Sequence, residues 1–244
     1  MNKDVEISRV VAQYKEMEDF LSGGFAVAGT KSEGQQVSGA AAGAEDAEKV
    51  LEEVAAEVRE CCRCGLGETR TNAVPGEGSA KARIVFVGEA PGGDEDAVGR
   101  PFVGRAGQLL NKMIGAMGLK RSDVFICNVI KCRPPGNRDP RPEEIVRCLP
   151  YLKMQLEAIR PEVIIALGAH AARTLLNTNE AIGRLRGRFR EYYTSPDAEP
   201  IKLMATYHPA YLLRSYSSEN RRRVWEDLQK VMAELGLPGS TAKK

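Results

Sequence analysis

Four short apolar runs, rich in β-branched residues and separated by helical patterns, constrain this chain more than any other feature. They are Ile84–Gly88 (IVFVG), Val124–Ile130 (VFICNVI), Val163–Gly168 (VIIALG) and Lys202–Tyr207 (KLMATY). Helical spacing of apolar residues covers Gly107–Met117, Pro142–Ile159, Ala169–Leu176 and Arg221–Leu235. A strand that is apolar on both faces has to be covered on both faces. The alternation therefore predicts α/β architecture: a single three-layer α/β/α domain around a central, mainly parallel four-stranded sheet. Ligands of such sheets bind beyond the carboxyl ends of the strands, where the chain opens a crevice. The functional residues are to be sought in the segments that follow each run.

Upstream of the runs, AEKVLEEVAAEVRE places Leu51, Val54 and Val58 on one helical face just ahead of Cys61. Order is expected from Asp46. Before it, Val10, Tyr14, Met17 and Leu21 fall at helical spacing within 5–21, and 22–46 has the Gly, Ala, Ser and Gln content of a linker. The chain thus divides into a flexible leader over 1–45, a domain over 46–238 and a tail over 239–244. MNKDVEISR carries acids where a secretory signal carries an apolar run, and no stretch is long enough to span a bilayer. A cytoplasmic location follows, with no membrane partner. Six cysteines in that setting point away from a disulfide framework.

Behind the first run comes Gly88-Glu89-Ala90-Pro91-Gly92-Gly93-Asp94-Glu95-Asp96, then Gly99-Arg100-Pro101-Phe102-Val103-Gly104. Asn128 lies within the second, ahead of Lys131-Cys132-Arg133-Pro134-Pro135; His170 follows the third, and His208-Pro209-Ala210-Tyr211-Leu212-Leu213-Arg214 the fourth. Glycines in the first segments permit close backbone approach to a ligand, yet neither GK[ST] nor GxGxxG is present, so this is no phosphate loop. Cys61-x2-Cys64 is followed after 67 residues by Cys132 and after 15 more by Cys148. That set can hold a tetrahedral Zn²⁺ or a [4Fe–4S] cluster, and the unpaired second half leans towards the cluster. Cys127 sits in an apolar run as a core thiol, and Cys62 competes with Cys61 for the first ligand position.

GEAPGGDED, GRPFVGRAGQLL, NVIKCRPPGNR and HPAYLL, in this order, resemble the family 4 uracil-DNA glycosylases over roughly residues 55–235. The resemblance implies removal of uracil from DNA by hydrolysis of the N-glycosidic bond, the first step of base excision repair. It also implies a [4Fe–4S] cluster on Cys61, Cys64, Cys132 and Cys148. Asn128 corresponds to the residue that reads uracil, where one amide matches the base's O4 and N3–H and mismatches cytosine. Phe102 corresponds to the stacking platform. His208 is assigned as the donor that stabilises the departing uracil at O2, with His170 structural. Ala90 and Gly92 stand where family 1 enzymes (GQDPYH) carry a water-positioning Asp and a thymine-excluding Tyr, which leaves Glu89 or Glu95 to hold the water.

The partner implied is uracil-containing DNA, single- or double-stranded, met by a monomer. The net charge of +2 carries no such signal, so local cations must. Arg184, Arg186, Arg188 and Arg190 recur at every second position, which in an extended segment puts them on one face as a phosphate rail. Lys131, Arg133, Arg138 and Arg141 beside Cys132, together with Arg214, add further charge. Of Tyr211, Leu212 and Leu213, Leu213 is chosen as the wedge that fills the gap left by a flipped base. Two alternatives remain open. One is a uracil-DNA-binding relative that traps its target covalently, against which stand GEAPG in place of GEQPG and the lack of a histidine within 184–190; the other is a broader deaminated-base glycosylase.

Overall fold

The computed structural model describes residues 44–215 and 217–238. The expected helix over 5–21, most of the linker and the 239–244 tail lie outside the described residues. In chain order the elements are α1 (Ala44–Glu60), α2 (Leu66–Thr69), β1 (Glu77–Gly78), β2 (Ile84–Gly88), α3 (Gly93–Val98), α4 (Arg105–Ala116) and β3 (Phe125–Asn128). Then come α5 (Pro142–Ile159), β4 (Val163–Leu167), α6 (Ala169–Leu176), α7 (Ile182–Leu185), β5 (Phe189–Tyr192), β6 (Ile201–Thr206), α8 (Pro209–Arg214) and α9 (Ser218–Glu234).

The sheet runs β1-β3-β2-β4-β6-β5. The four runs read from the sequence form its parallel centre, and β1 and β5 extend it antiparallel at either edge to six strands. Alternating residues of each central strand face opposite layers. Ile84, Phe86, Val163 and Ile165 pack with Leu110 and Ile114 of α4 and Val224 and Leu228 of α9. Val85, Val87, Ile164 and Ala166 pack with Leu152 and Leu156 of α5 and Ala171 and Leu175 of α6. A third, small cluster of Val54, Val58, Ala73 and Tyr151 seats α1 against α5. From β2 the chain crosses to β3 on one side and then returns to β4 on the other. The switch in winding direction therefore opens its crevice between the ends of β2 and β4.

Candidate active site

A cavity of about 730 Å³ occupies that crevice, lined among others by Glu89, Ala90, Phe102, Asn128, His170 and His208. Asn128 ends β3 opposite Gly88. It is 1% exposed, and among the described residues neither its amide nitrogen nor its amide oxygen has a hydrogen-bond partner. A buried amide left unpaired costs about 1–3 kcal/mol, so such a group is expected to meet a ligand. Gly88 makes the approach possible. A Cβ there would lie 2.3 Å from Asn128 Oδ1 and 2.6 Å from Phe102 Cζ.

Phe102 is 5% exposed, and its backbone sits at φ 50°, in the left-handed region that a bulky residue enters only when its surroundings impose it. Those surroundings are visible. Arg121 donates to the carbonyls of Pro101 (2.5 Å) and Phe102 (3.4 Å), and Glu77 on β1 holds both Arg121 and Arg100. Gly107 faces the Phe102 carbonyl so closely that a Cβ would come within 1.7 Å of the oxygen. The Phe102 ring stands 5.6 Å from the His208 ring, tilted by 31°.

His208 caps α8. Its Nδ1 accepts the Ala210 backbone N–H at 3.0 Å, so the neutral ring carries its proton on Nε2. Burial, reinforced by the Arg214 charge, pushes its pKa down to about 4. The imidazole is therefore a neutral donor at physiological pH.

The two candidate acids separate. Glu95 Oε1 accepts from the backbone N–H of Val103 and Gly104, and Oε2 accepts from that of Gly92. Its carboxylate ties the two glycine-rich loops together while Glu95 also lines the cavity. Ala90 and Gly92 both line the cavity, and a Cβ at Gly92 would lie 2.7 Å from Glu95 Oε2. Glu89 lines the cavity with its carboxyl pKa raised, first by burial and further by the nearby Asp139, against the opposing pull of His170. His170, read from sequence as structural, is half exposed on the cavity wall. It lies 3.7 Å from Glu89 and 3.6 Å from Asp139.

The arginine rail is corrected by the fold. Arg184 lies in α7, Gly187 turns the chain at φ 79°, and β5 begins only at Phe189. Arg186 turns inward, forks onto both carboxylate oxygens of fully buried Asp227 at 3.0 and 2.7 Å, and also meets the Arg223 carbonyl. Arg188 donates to the Arg184 carbonyl. Four alternating arginines do not share a face because the stretch is not one strand. Arg186→Ala is expected to cost about 3 kcal/mol by stranding Asp227, with Thr206 its remaining side-chain donor, as thermal unfolding would register. A phosphate contact would instead change the salt dependence of DNA binding at constant stability.

Lys131 is likewise no surface cation, being 1% exposed. Arg214 does line the cavity, with Tyr211, which is 38% exposed. Leu213 lines a separate groove with Arg105, Lys112 and Trp225, and Leu212 is buried. Of the three wedge candidates, Tyr211 is the one that lines the cavity.

Cys61, Cys64, Cys132 and Cys148 line one small cavity together with Val58 and Tyr151. Cys62 is exposed and Cys127 is buried in β3. Arg70 donates to Cys132 Sγ at 3.0 Å, and the Lys131 N–H to Cys148 Sγ at 3.2 Å. Burial pushes the Cys148 thiol up to about 12; a bound metal centre removes that penalty by taking the thiolate. Four thiols on one small cavity fit the donor set of a tetrahedral Zn²⁺ and of a [4Fe–4S] cluster alike.

The Uracil DNA glycosylase superfamily model matches residues 75–229. A type-4 uracil-DNA glycosylase of Archaeoglobus fulgidus is 48% identical over 74% of this chain and 91% of its own length. One of Thermotoga maritima is 47% identical over 79% and 98%. A type-5 uracil-DNA glycosylase of Pyrobaculum aerophilum is more distant, at 33% over 67% and 76%. With the whole sheet, from Glu77 to Thr206, inside the superfamily match, the chain belongs to the type-4 uracil-DNA glycosylases of the uracil DNA glycosylase superfamily.

Proposed function

We propose that this protein removes uracil from DNA by hydrolysing the bond between uracil N1 and deoxyribose C1′. The observation that carries the reading is the buried, partnerless amide of Asn128 on the wall of a cavity with ample room for a base, beside Phe102 and His208. The flipped base stacks on Phe102, and Asn128 donates to O4 and accepts from N3–H. As C1′–N1 breaks, its electron pair passes into the uracil ring, and His208 Nε2–H stabilises the charge at O2. Water then adds to C1′ and gives up a proton to Glu89, whose carboxyl lines the cavity with its pKa raised by burial. Glu95 holds the loops, and Ala90 and Gly92 leave the base its room. Arg214, with Arg184 and Arg188, meets phosphates, and Tyr211 is better placed than Leu213 to fill the vacated stack.

Cys61, Cys64, Cys132 and Cys148 are the proposed ligands of a [4Fe–4S] cluster, which when bound cross-links α1, the loop beyond β3 and α5. Base hydrolysis is redox-neutral, so the proton and bond changes belong to side chains. The protein is read as a cytoplasmic monomer; among the described residues no helix is long and apolar enough to cross a membrane.

The test is excision from an oligonucleotide with a single uracil, read by alkali cleavage on a denaturing gel. Multiple turnover with no cut in a thymine control supports the reading. A protein–DNA band that survives denaturation moves the chain to covalent trapping, and no product from intact holoprotein refutes both. Asn128→Ala is expected to lower kcat/KM about 10–100-fold, the worth of one bidentate base contact, with the cluster absorption unchanged.

A further inference from the structure

The cysteine cavity and the base-reading amide are joined through one residue. Lys131 immediately precedes Cys132, and its main-chain N–H donates to Cys148 Sγ at 3.2 Å. Its side chain runs the other way. Nζ donates to the Asn128 carbonyl at 2.9 Å and to Gln155 Oε1 at 2.6 Å, while Gln155 Nε2 anchors to the Pro75 carbonyl at 2.8 Å. At 1% exposure the ammonium is sealed from water, and both of these acceptors are neutral. A buried cation with neutral partners is costly unless a negative charge lies near. A [4Fe–4S] core held by four thiolates is an anion, and Cys148 already interacts electrostatically with Lys131.

The opposite end of this link is where rigidity counts. The Asn128 amide has no partner of its own, so its aim depends on packing and on its backbone. The carbonyl of that backbone is held by Lys131. The two N–H groups that follow, of Val129 and Ile130, are held by the carbonyls of Gly88 and Glu89.

We propose that Lys131 is a positioning residue that couples the cysteine-bound cluster to uracil reading, its ammonium fixing the Asn128 backbone while its main chain braces Cys148. The inference rests on the roles given above to Asn128 and the four cysteines. Lys131→Met keeps the stem and removes the charge and donors. In the holoprotein, inhibition by free uracil is expected to weaken about tenfold, or 1.4 kcal/mol. Affinity for DNA carrying an abasic-site analogue, which lacks the base, should stay within about twofold, because phosphate contacts set it. The visible absorption of the cluster should persist but bleach several-fold faster under a chelator.

Unchanged uracil inhibition overturns the link, as do equal losses on uracil and abasic DNA, which mean general damage to the site. A wild-type bleaching rate overturns its cluster half. Should Lys131→Met fail to fold, Gln155→Leu carries the test by removing one acceptor and keeping the lysine. A roughly threefold weakening confined to free uracil supports the link, and none overturns it. Inactive wild-type protein would sink the functional reading itself, whereas active wild type with indistinguishable variants sinks only the Lys131 link.

Discussion

Replacing His208 with alanine is expected to lower uracil excision about 10²–10³-fold, the worth of one donor aimed at a developing oxyanion, while the cluster spectrum stays as in wild type. Stability should fall by only about 1 kcal/mol, since what is lost outside catalysis is the cap on the Ala210 N–H. The pH dependence carries a second check. With its pKa lowered from 6.5 to about 4, His208 is neutral in the folded state through the physiological range. Excision should therefore show no inflection from this group near pH 6.5 and should decline only as pH approaches about 4. There the incoming proton occupies Nδ1 and opposes the Ala210 N–H. The stability linkage has the matching sign. The contribution of a depressed histidine pKa is complete above about 6.5 and drains away between 6.5 and about 4, as the unfolded chain takes up its proton first. A wild-type inflection near 6.5 that disappears in His208→Ala would refute the buried neutral donor.

Cys148→Ala is expected to abolish the brown colour and to lower stability by about 5 kcal/mol, a fall in Tm of roughly 10–20 °C. The reason lies in how α1 is attached. Its fully buried contact with α5 is a small cluster, Val54, Val58, Ala73 and Tyr151, edged by partly buried Val50 and Met154, which is modest apolar surface for a 17-residue helix. Cys61 at the end of α1 and Cys148 within α5 line the same cavity, so ligation adds the missing tie. Limited proteolysis should then cut the α1 segment of the variant well before the sheet. A variant with full absorption and an unshifted Tm would remove Cys148 from the ligand set.

The parallel centre of the sheet was readable because Ile84–Gly88 and Val163–Leu167 are apolar on both faces, and α5 and α6 begin and end where their periodicity does. The edges were not. Glu77–Gly78 is two residues long, too short for any period to show, and Phe189–Tyr192 hides its alternation among arginines. In the site, Asn128, Phe102 and His208 announced themselves through motifs at strand ends. What braces them did not. The carboxylate of Glu77 reaches Arg121 across 44 positions of sequence and Arg186 finds Asp227 across 41, distances over which no local pattern speaks. The three backbone N–H groups that engage Glu95 likewise left no local pattern, and Lys131 looked like a surface charge until its partners were seen.

The Glu95 brace also restricts the routes by which this pocket can be altered. Gly92 stands where a related class carries a bulky methyl-excluding ring, yet any side chain there meets a carboxylate that cannot swing aside without releasing Gly92, Val103 and Gly104. Gly92 and Glu95 therefore form an epistatic pair. A lineage, or a directed-evolution library, that changes position 92 alone passes through a damaged intermediate, and one that changes position 95 alone gives up the same loop brace. Selection for altered base preference should accordingly recover substitutions at 92 mainly together with changes at 95.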